Sequence, residues 1–436
     1  MKKKHRLAAV IGLSLSASLA LSSCAGASGT TSSSSSTQGK TLTIWYMQDS
    51  LTPASIAAIN KIFETQTGAK VTVETQQWNN INTKLTTALA TNNPPDIVEI
   101  GNTDVPLFAA TGALADITSS KKSLSGGQTW LTGLEGPATV NGKLYAAPLY
   151  GGTREMIYNK TIWAAAGITT PPTTYAEMTA DLDKIKAANP ASDFSAAYIS
   201  GTNWYSGISF LYDAGGAIAK QSGGTWKAQF ATPGSQKGLQ QFTSFQNAYS
   251  ANGSQTAPLA TPNPIDVFAT GKAATVMLPG GNIASIEAAN PALKGQIGSF
   301  VIPSLNHPGK NMPSFLGGSD LGIAAKSTNQ ALALKYLKLL TSDTIQIDQI
   351  TKVNGAIPIS TQLVNKVLPG IPANLKAFYD GAKNTISTPA TAGWATIESD
   401  QTILGVFSQV AAGTKSAKDA ASSMDAHLNT ALNASN

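Results

Sequence analysis

Apolar and polar positions along the chain switch between a two-residue and a 3.6-residue period, and the switches outline the elements. "TLTIWY" (41–46) is apolar and β-branched enough for a buried strand. Thr52 can cap the next helix with Pro53 in its first turn. Ile56, Ile59, Ile62 and Phe63 form one apolar face, and Gly68 ends it. "VTVE" reads as a strand, "NNINTKLTTALA" as a helix and, after Pro94-Pro95, "DIVEI" as a strand. Strand–helix–strand–helix–strand predicts a parallel sheet covered by helices.

Further on, "LYAAPLY" and "REMIYNK" are extended segments entering a second region, where "PPTTYAEMTADLDKI" and "SQKGLQQFTSFQNAYS" are helical. "ISGTNWYSGISFLYDAGG" mixes aromatics with glycines and reads as a segment that lines something. "GKAATVMLPGG" and "IGSFVIPSL" are strands, and "STNQALALKYLKLLTS" is an amphipathic helix. The last helix opens on the pair Ser416 and Asp419, with Met424, Leu428 and Leu432 spaced by four. No internal repeat is present.

The start of the chain follows neither period. "MKKKHR" is basic and "LAAVIGLSLSASLAL" is apolar over a length short of the roughly twenty residues that span a bilayer, which fits an export signal. Leu21-Ser22-Ser23-Cys24 resembles the bacterial lipobox. The resemblance implies removal of residues 1–23, acylation of Cys24, and a Ser/Thr/Gly tether over 24–39. The rival reading of Cys24 is an unpaired thiol in an ordinary secreted protein.

Removing Lys2, Lys3, Lys4 and Arg6 takes the formal charge from +6 to +2 and leaves no basic stripe interleaved with aromatics, so nucleic acid is not an expected partner. A single cysteine permits no internal disulfide. About 400 mature residues exceed what one core organises, so two lobes are expected. Three histidines (5, 307 and 427) cannot form a cluster, so no metal site and no cofactor are expected. "GPATVNGK" fails as a phosphate loop because Pro137 stands six places before Lys143 and Leu144 follows it. Gly317, Gly318 and Ser319 do not complete a nucleophile elbow, since Leu321 replaces its last glycine. Paired catalytic carboxylates are not decided by spacing in sequence.

Five ordered stretches, "TLTIWY", "PPDIVEIG", "NGKLYAAPLYGGTREMIYNK", "FATGKAATVMLPGG" and "GGSDLGIAAKSTNQALALKYLKLLTS", resemble the extracellular solute-binding proteins of bacterial ABC importers, in the maltose-binding branch. The resemblance covers residues 40–436. It implies a two-lobed α/β fold crossed near Pro148–Thr153, near Val301–Ser304 and after Leu340. One lobe would hold 40–148 and 304–342, and the other 149–303 and 343–436. It further implies a monomer that captures a sugar, expected to be an oligosaccharide, and delivers it to a permease without catalysis.

The same resemblance nominates the ligand residues. Asp49, Asn102 and Asp104 follow strands whose ends face the cleft in such sheets; for Asp49 a turn position is the rival reading. Tyr150 and Arg154 stand at the first crossing, where an arginine can fork onto hydroxyls or form a structural ion pair. Trp204 and Trp394 have glycine and small neighbours, unlike core tryptophans, and are expected as cleft plates, Trp394 on an exposed loop. Asn282 stands where many relatives carry an aromatic. Gly318, Ser319 and Asp320 offer N–H groups and an acid beside the hinge, or else a tight structural turn. Trp45 and Trp163 read as core, and Trp78, Trp130 and Trp226 as packing or surface residues. The other readings are a same-fold binder of a polyamine or iron complex, and a surface-anchored glycoside hydrolase.

Overall fold

The computed structural model describes residues 39–434 apart from Asn79; the signal peptide, Cys24 and nearly all of the tether lie outside the described residues. The first half follows the expected alternation: β1 (Thr41–Met47), α1 (Pro53–Thr67), β2 (Lys70–Gln76), α2 (Ile81–Ala90), β3 (Ile97–Gly101), then a 3-10 turn (Asn102–Asp104), α3 (Val105–Ala110) and α4 (Thr132–Ala138). The Thr52 side chain accepts from Ser55 N, and Gly68 leaves the helix at φ +70°, a left-handed conformation that glycine adopts at no steric cost.

Next come β4 (Ala146–Asn159), α5 (Tyr175–Ala188), α6 (Trp204–Asp213), α7 (Pro233–Tyr249), β5 (Thr275–Pro279), α8 (Asn282–Ala289), β6 (Ile297–Phe300) and β7 (Ser314–Ile323). The chain closes with α9 (Gln330–Leu340), β8 (Thr385–Ile386), α10 (Gly393–Ser399), α11 (Thr402–Ala411) and α12 (Ala417–Ala431). Thr174 and Glu177 form a complete capping box on α5, and Ser416 accepts from Asp419 N on α12.

The eight strands form one sheet, ordered β6-β4-β7-β3-β1-β2, with β5 beside β4 and β8 beside β7. β1 pairs in parallel with β2 and β3, as the alternation requires, whereas β7 pairs antiparallel with β3. β4 is the strand that carries the sheet from one region to the other. Its first half, through Thr153, pairs with β7, and from Arg154 onward it pairs with β5 and β6. The expected first crossing lies in the middle of a 14-residue strand, which joins the two extended segments into one.

Two apolar clusters flank this strand. The first gathers Ile44, Tyr46, Ile59, Phe63, Ile97 and Tyr336 around the parallel strands. The second gathers Trp163, Phe210, Phe242, Trp394, Phe407 and Leu428 among α6, α7 and the C-terminal helices. Residues just after 342 were expected with the second region, yet several pack on the first. Ile345, Ile350, Ile359 and Val364 lie in the first cluster, Leu131 N donates to Ile359 O (2.8 Å), and Gln346 Nε2 donates to Leu149 O (3.1 Å).

Candidate functional site

The turn that ends β3 is where elements of both regions meet. A Cβ on Gly101 would lie 3.7 Å from Asp104 Oδ2 and 3.8 Å from Trp78 Cζ3, so the Asp104 carboxylate and the Trp78 ring edge converge above this glycine. Trp78 is 43% exposed, which makes it an uncovered aromatic plate at this edge. Thr103 Oγ1 donates to Glu398 Oε2 of α10 (3.3 Å), and Trp394 Nε1, one turn back on that helix, donates to Glu398 Oε1 (2.7 Å).

Behind Glu398 stands an aromatic group. Trp394 meets Trp204 edge-on with ring centroids 5.7 Å apart; Trp204 lies 4.1 Å from Tyr205, and Tyr205 lies 5.2 Å from Phe315 of β7. The Arg154 guanidinium covers the Tyr205 ring at 4.0 Å and faces Phe315 at 5.9 Å. Among the described residues Arg154 forms no ion pair, so of its two readings the structural salt bridge is absent here. Cations on aromatic faces gain from the ring quadrupole, and the planar fork keeps its N–H edges available.

Electrostatically this place is acidic. Burial pushes Asp104 up to about 6, against a hydrogen bond from Asn82. Burial pushes Glu398 up to about 7, and the neighbouring Asp104 charge raises it further, against the bonds from Trp394 and Thr103. Asn82 must turn its N–H₂ toward the Asp104 carboxylate, which accepts only, and its own Oδ1 is left buried without a donor.

A second polar group lies at the ends of β1 and β3. Glu99 accepts from Met47 N (2.9 Å) and from Ser50 Oγ; Ser50 Oγ also reaches Tyr150 Oη (3.3 Å), as does Ser319 Oγ (3.4 Å). Burial pushes Glu99 up to about 7, the hydrogen bonds opposing it.

Of the residues expected from sequence, the structure brings together Asp104, Arg154, Trp204 and Trp394 in the first group, and Tyr150 with Ser319 in the second. Asp49 is exposed beside Ser50 at φ +61°, the turn position that was its rival reading. Asn102 is buried and points its amide inward, donating to Gly133 O (2.9 Å) and Leu316 O (3.0 Å), so it ties α4 and β7 to the turn. Gly318 meets the structural reading: its φ is +149°, and a Cβ would sit 2.2 Å from Tyr150 O, where β4 and β7 approach too closely for a side chain. Asn282 opens α8 half-buried, joined to neither group by a contact named above.

Two expectations are corrected. Trp394 is not on an exposed loop but in α10, at 0% exposure, and Trp204 at 2% is likewise covered, because each ring packs on the other and on the second core. Asp320 offers no acid to a cleft. It is fully buried in β7, neither oxygen has a partner, and burial holds its pKa well above the usual carboxylate range. Sequence reasoning missed Glu398, Tyr205, Asn82 and Glu99; Trp78, read as a packing or surface residue, is a surface one. Only Glu398 had a local signal, standing four residues after Trp394 on one helix face.

The family described as bacterial extracellular solute-binding protein matches residues 58–378. The diacetylchitobiose binding protein DasA of Streptomyces coelicolor is 35% identical over 434 residues, spanning 98% of this chain and 99% of that one. The chain belongs to the bacterial extracellular solute-binding proteins. Solved structures share the fold. The sugar-binding protein MalE of Xanthomonas citri matches at TM-score 0.78 with 22% identity over 90% of this chain and 97% of its own. MalE of Listeria monocytogenes in complex with maltose matches at 0.76 with 20% identity, over 89% and 97%.

In this solute-binding protein the two-lobed α/β architecture expected from sequence is the one its structural relatives carry. The turn after β3 lies on the first core, through Ile100 and Val105, and α10 on the second, through Trp394 and Ile397. Asp104 and Glu398 thus stand on elements of different cores, which the Thr103–Glu398 hydrogen bond joins. Other surface recesses lie elsewhere. One of about 770 Å³ is lined by Tyr212, Phe300, His307 and Lys310, and one of about 520 Å³ by Trp45, Glu74, Asp96 and Asn329.

Proposed function

We propose that this protein captures an oligosaccharide between its lobes and delivers it to the transmembrane subunits of an ABC importer. The observation that carries this reading is the convergence of Trp78, Asp104, Arg154 and Glu398 where the two cores meet. Sugars present apolar C–H faces and polar edges, which aromatic plates, carboxylates and a guanidinium complement. Similarity to DasA over nearly the whole chain supports a carbohydrate ligand.

The protein acts outside the cytoplasm, as its family does, and as a monomer. Cys24 carries the lipid that holds it at the membrane surface: Cys24→Ser should release it from membranes with folding intact, and retention on membranes would remove the anchor from the reading. Residues 343–367 join the first lobe, a reading supported by the packing of Ile345, Ile350, Ile359 and Val364 on its cluster.

The main test is calorimetry against a panel of disaccharides and longer oligosaccharides, followed for product. Saturable heat with unchanged sugar supports capture. Two acids with raised pKa values are also what a glycosidase uses, so released monosaccharide would replace capture by hydrolysis. No binding to any sugar would overturn the reading.

A further inference from the structure

We propose that one pyranose ring of the oligosaccharide lies flat on a floor of bare backbone at Gly152 and Gly317, with the Arg154 guanidinium at one end and the Tyr150 hydroxyl at the other. This deepens the sugar reading above and rests on it.

Strand register puts these residues on one face of the sheet. Directly opposed residues of an antiparallel pair point to the same side, as do alternate residues of one strand. Gly101, Ser319 and Tyr150 make one row across β3, β7 and β4, and Gly317 with Gly152 makes the next. Beyond it stand Phe315 and Arg154, whose ring and guanidinium lie 5.9 Å apart. Tyr150, Gly152 and Arg154 are half-buried, whereas Gly151, Thr153 and Glu155 are buried, so this face is the open one. Asp104 and the Trp78 ring edge border it above Gly101.

Neither usual reason for glycine holds at 152 or 317. Both backbones stay outside the left-handed region, so conformation does not demand glycine. A Cβ on Gly152 would meet nothing within 4 Å. One on Gly317 would make only ordinary contacts, with Phe315 at 3.7 Å and with Arg154 Nη1 and Gly152 O at 3.8 Å. On the opposite face packing does demand it: a Cβ on Gly151 would lie 3.2 Å from Leu316, and one on Gly318 2.2 Å from Tyr150 O. The remaining reason for glycine inside a strand is close approach from outside.

Arg154 independently shows what approaches. Its guanidinium forms no ion pair among the described residues and rests only on the rings of Tyr205 and Phe315. Its five N–H donors need acceptors where water is scarce, and Nη1 borders the space over Gly317. Tyr150 Oη, held by Ser50 and Ser319, stands four residues away, about 13 Å along the strand. A pyranose matches this layout: its C–H face meets bare backbone, and its edge oxygens supply the acceptors.

The test is calorimetry and thermal unfolding on the full-length protein, with maltotriose, cellotriose and diacetylchitobiose as probes and the tightest carried through the variants. Gly152→Ala should weaken binding at least about tenfold, since the methyl lifts the ring off the floor. Its unliganded melting temperature should stay the same or rise slightly, because alanine fits the open space and restrains the unfolded chain. Gly317→Ala should weaken binding likewise. Gly370→Ala, equally open but in another part of the chain, should leave affinity unchanged. Affinity of Gly152→Ala within about threefold of the parent overturns the floor and leaves sugar capture standing. A lowered melting temperature of Gly152→Ala, or an equal affinity loss in Gly370→Ala, does the same. Failure of the parent protein to bind any probe removes both.

Discussion

Truncating Trp394 separates a cleft plate from a core residue. The indole is fully covered, between Trp204 and the ends of the C-terminal helices. A buried Trp hides about 150–250 Å². Alanine retains only Cβ, so about 150–200 Å² of cover is lost, which at ~25 cal/mol per Å² amounts to about 4–5 kcal/mol. That agrees with the roughly 3–5 kcal/mol typical of such truncations. Loss of the 2.7 Å bond also leaves Glu398 Oε1 without its indole donor, adding about 1 kcal/mol where no water replaces it. Trp394→Phe keeps most of the ring and loses the N–H, so it should cost only about 1–2 kcal/mol. The assay is urea unfolding of both variants without ligand, with affinity then measured on the folded fraction. An unchanged unfolding midpoint for Trp394→Ala, with affinity lost, would refute the reasoning and restore the free plate that the sequence suggested.

Three further outcomes are expected. Trp78→Ala should weaken oligosaccharide binding about five- to thirtyfold by calorimetry, because the exposed ring offers a pyranose about 50–80 Å² of apolar contact; unchanged affinity would take Trp78 out of the site. Asn102→Ala should lower stability by about 1–3 kcal/mol in denaturant, since Gly133 O and Leu316 O both lose their buried donor, and the folded fraction should still bind; the reverse pattern would make Asn102 a ligand contact. For pH, burial raises Glu99 (about 7), Glu155 (about 8) and Glu398 (about 7) above their unfolded values. The native state therefore binds more protons than the unfolded chain between about pH 4.5 and 8, and stability falls as pH rises through that window. The melting temperature should be higher near pH 5.5 than near pH 8, and the opposite order would mean that these acids are solvated in solution.

The alternating first half was legible because its signals are local. Thr52, Pro53 and Gly68 bound α1, the apolar spacing of α2 places Leu85 and Leu89 inward, and parallel pairing of β1 with β2 and β3 follows from the connecting helices. The convergence of Asp104 and Glu398 was not legible. The two residues are separated by nearly 300 positions, and nothing near Asp320 in sequence says that it, unlike them, is enclosed in the sheet. That the chain after α9 packs on the first cluster was not legible for a related reason: the contacts of Ile345, Ile350 and Ile359 depend on where α9 delivers the chain.

The two tryptophans show why a glycine-rich context is ambiguous. Glycine and small residues around Trp204 and Trp394 suggested loops that expose a ring. A Cβ on Gly207 would lie 2.3 Å from the Phe407 ring, so this glycine lets α6 press against α11. A Cβ on Gly393 would lie 1.9 Å from Ala431 O, so α10 can start only by closing onto the end of α12. In both places the missing side chain permits close approach of backbones, the second use of glycine beside its freedom in turns. Close approach draws the adjacent tryptophan into the core, where its N–H can fix Glu398 while its ring packs inward. The ring left uncovered is then the tryptophan whose neighbours gave no such cue: Trp78, bordered by polar residues and exposed above Gly101. Trp394, a core tryptophan, thus fixes Glu398 through its N–H, and the ring that the cores leave uncovered is Trp78.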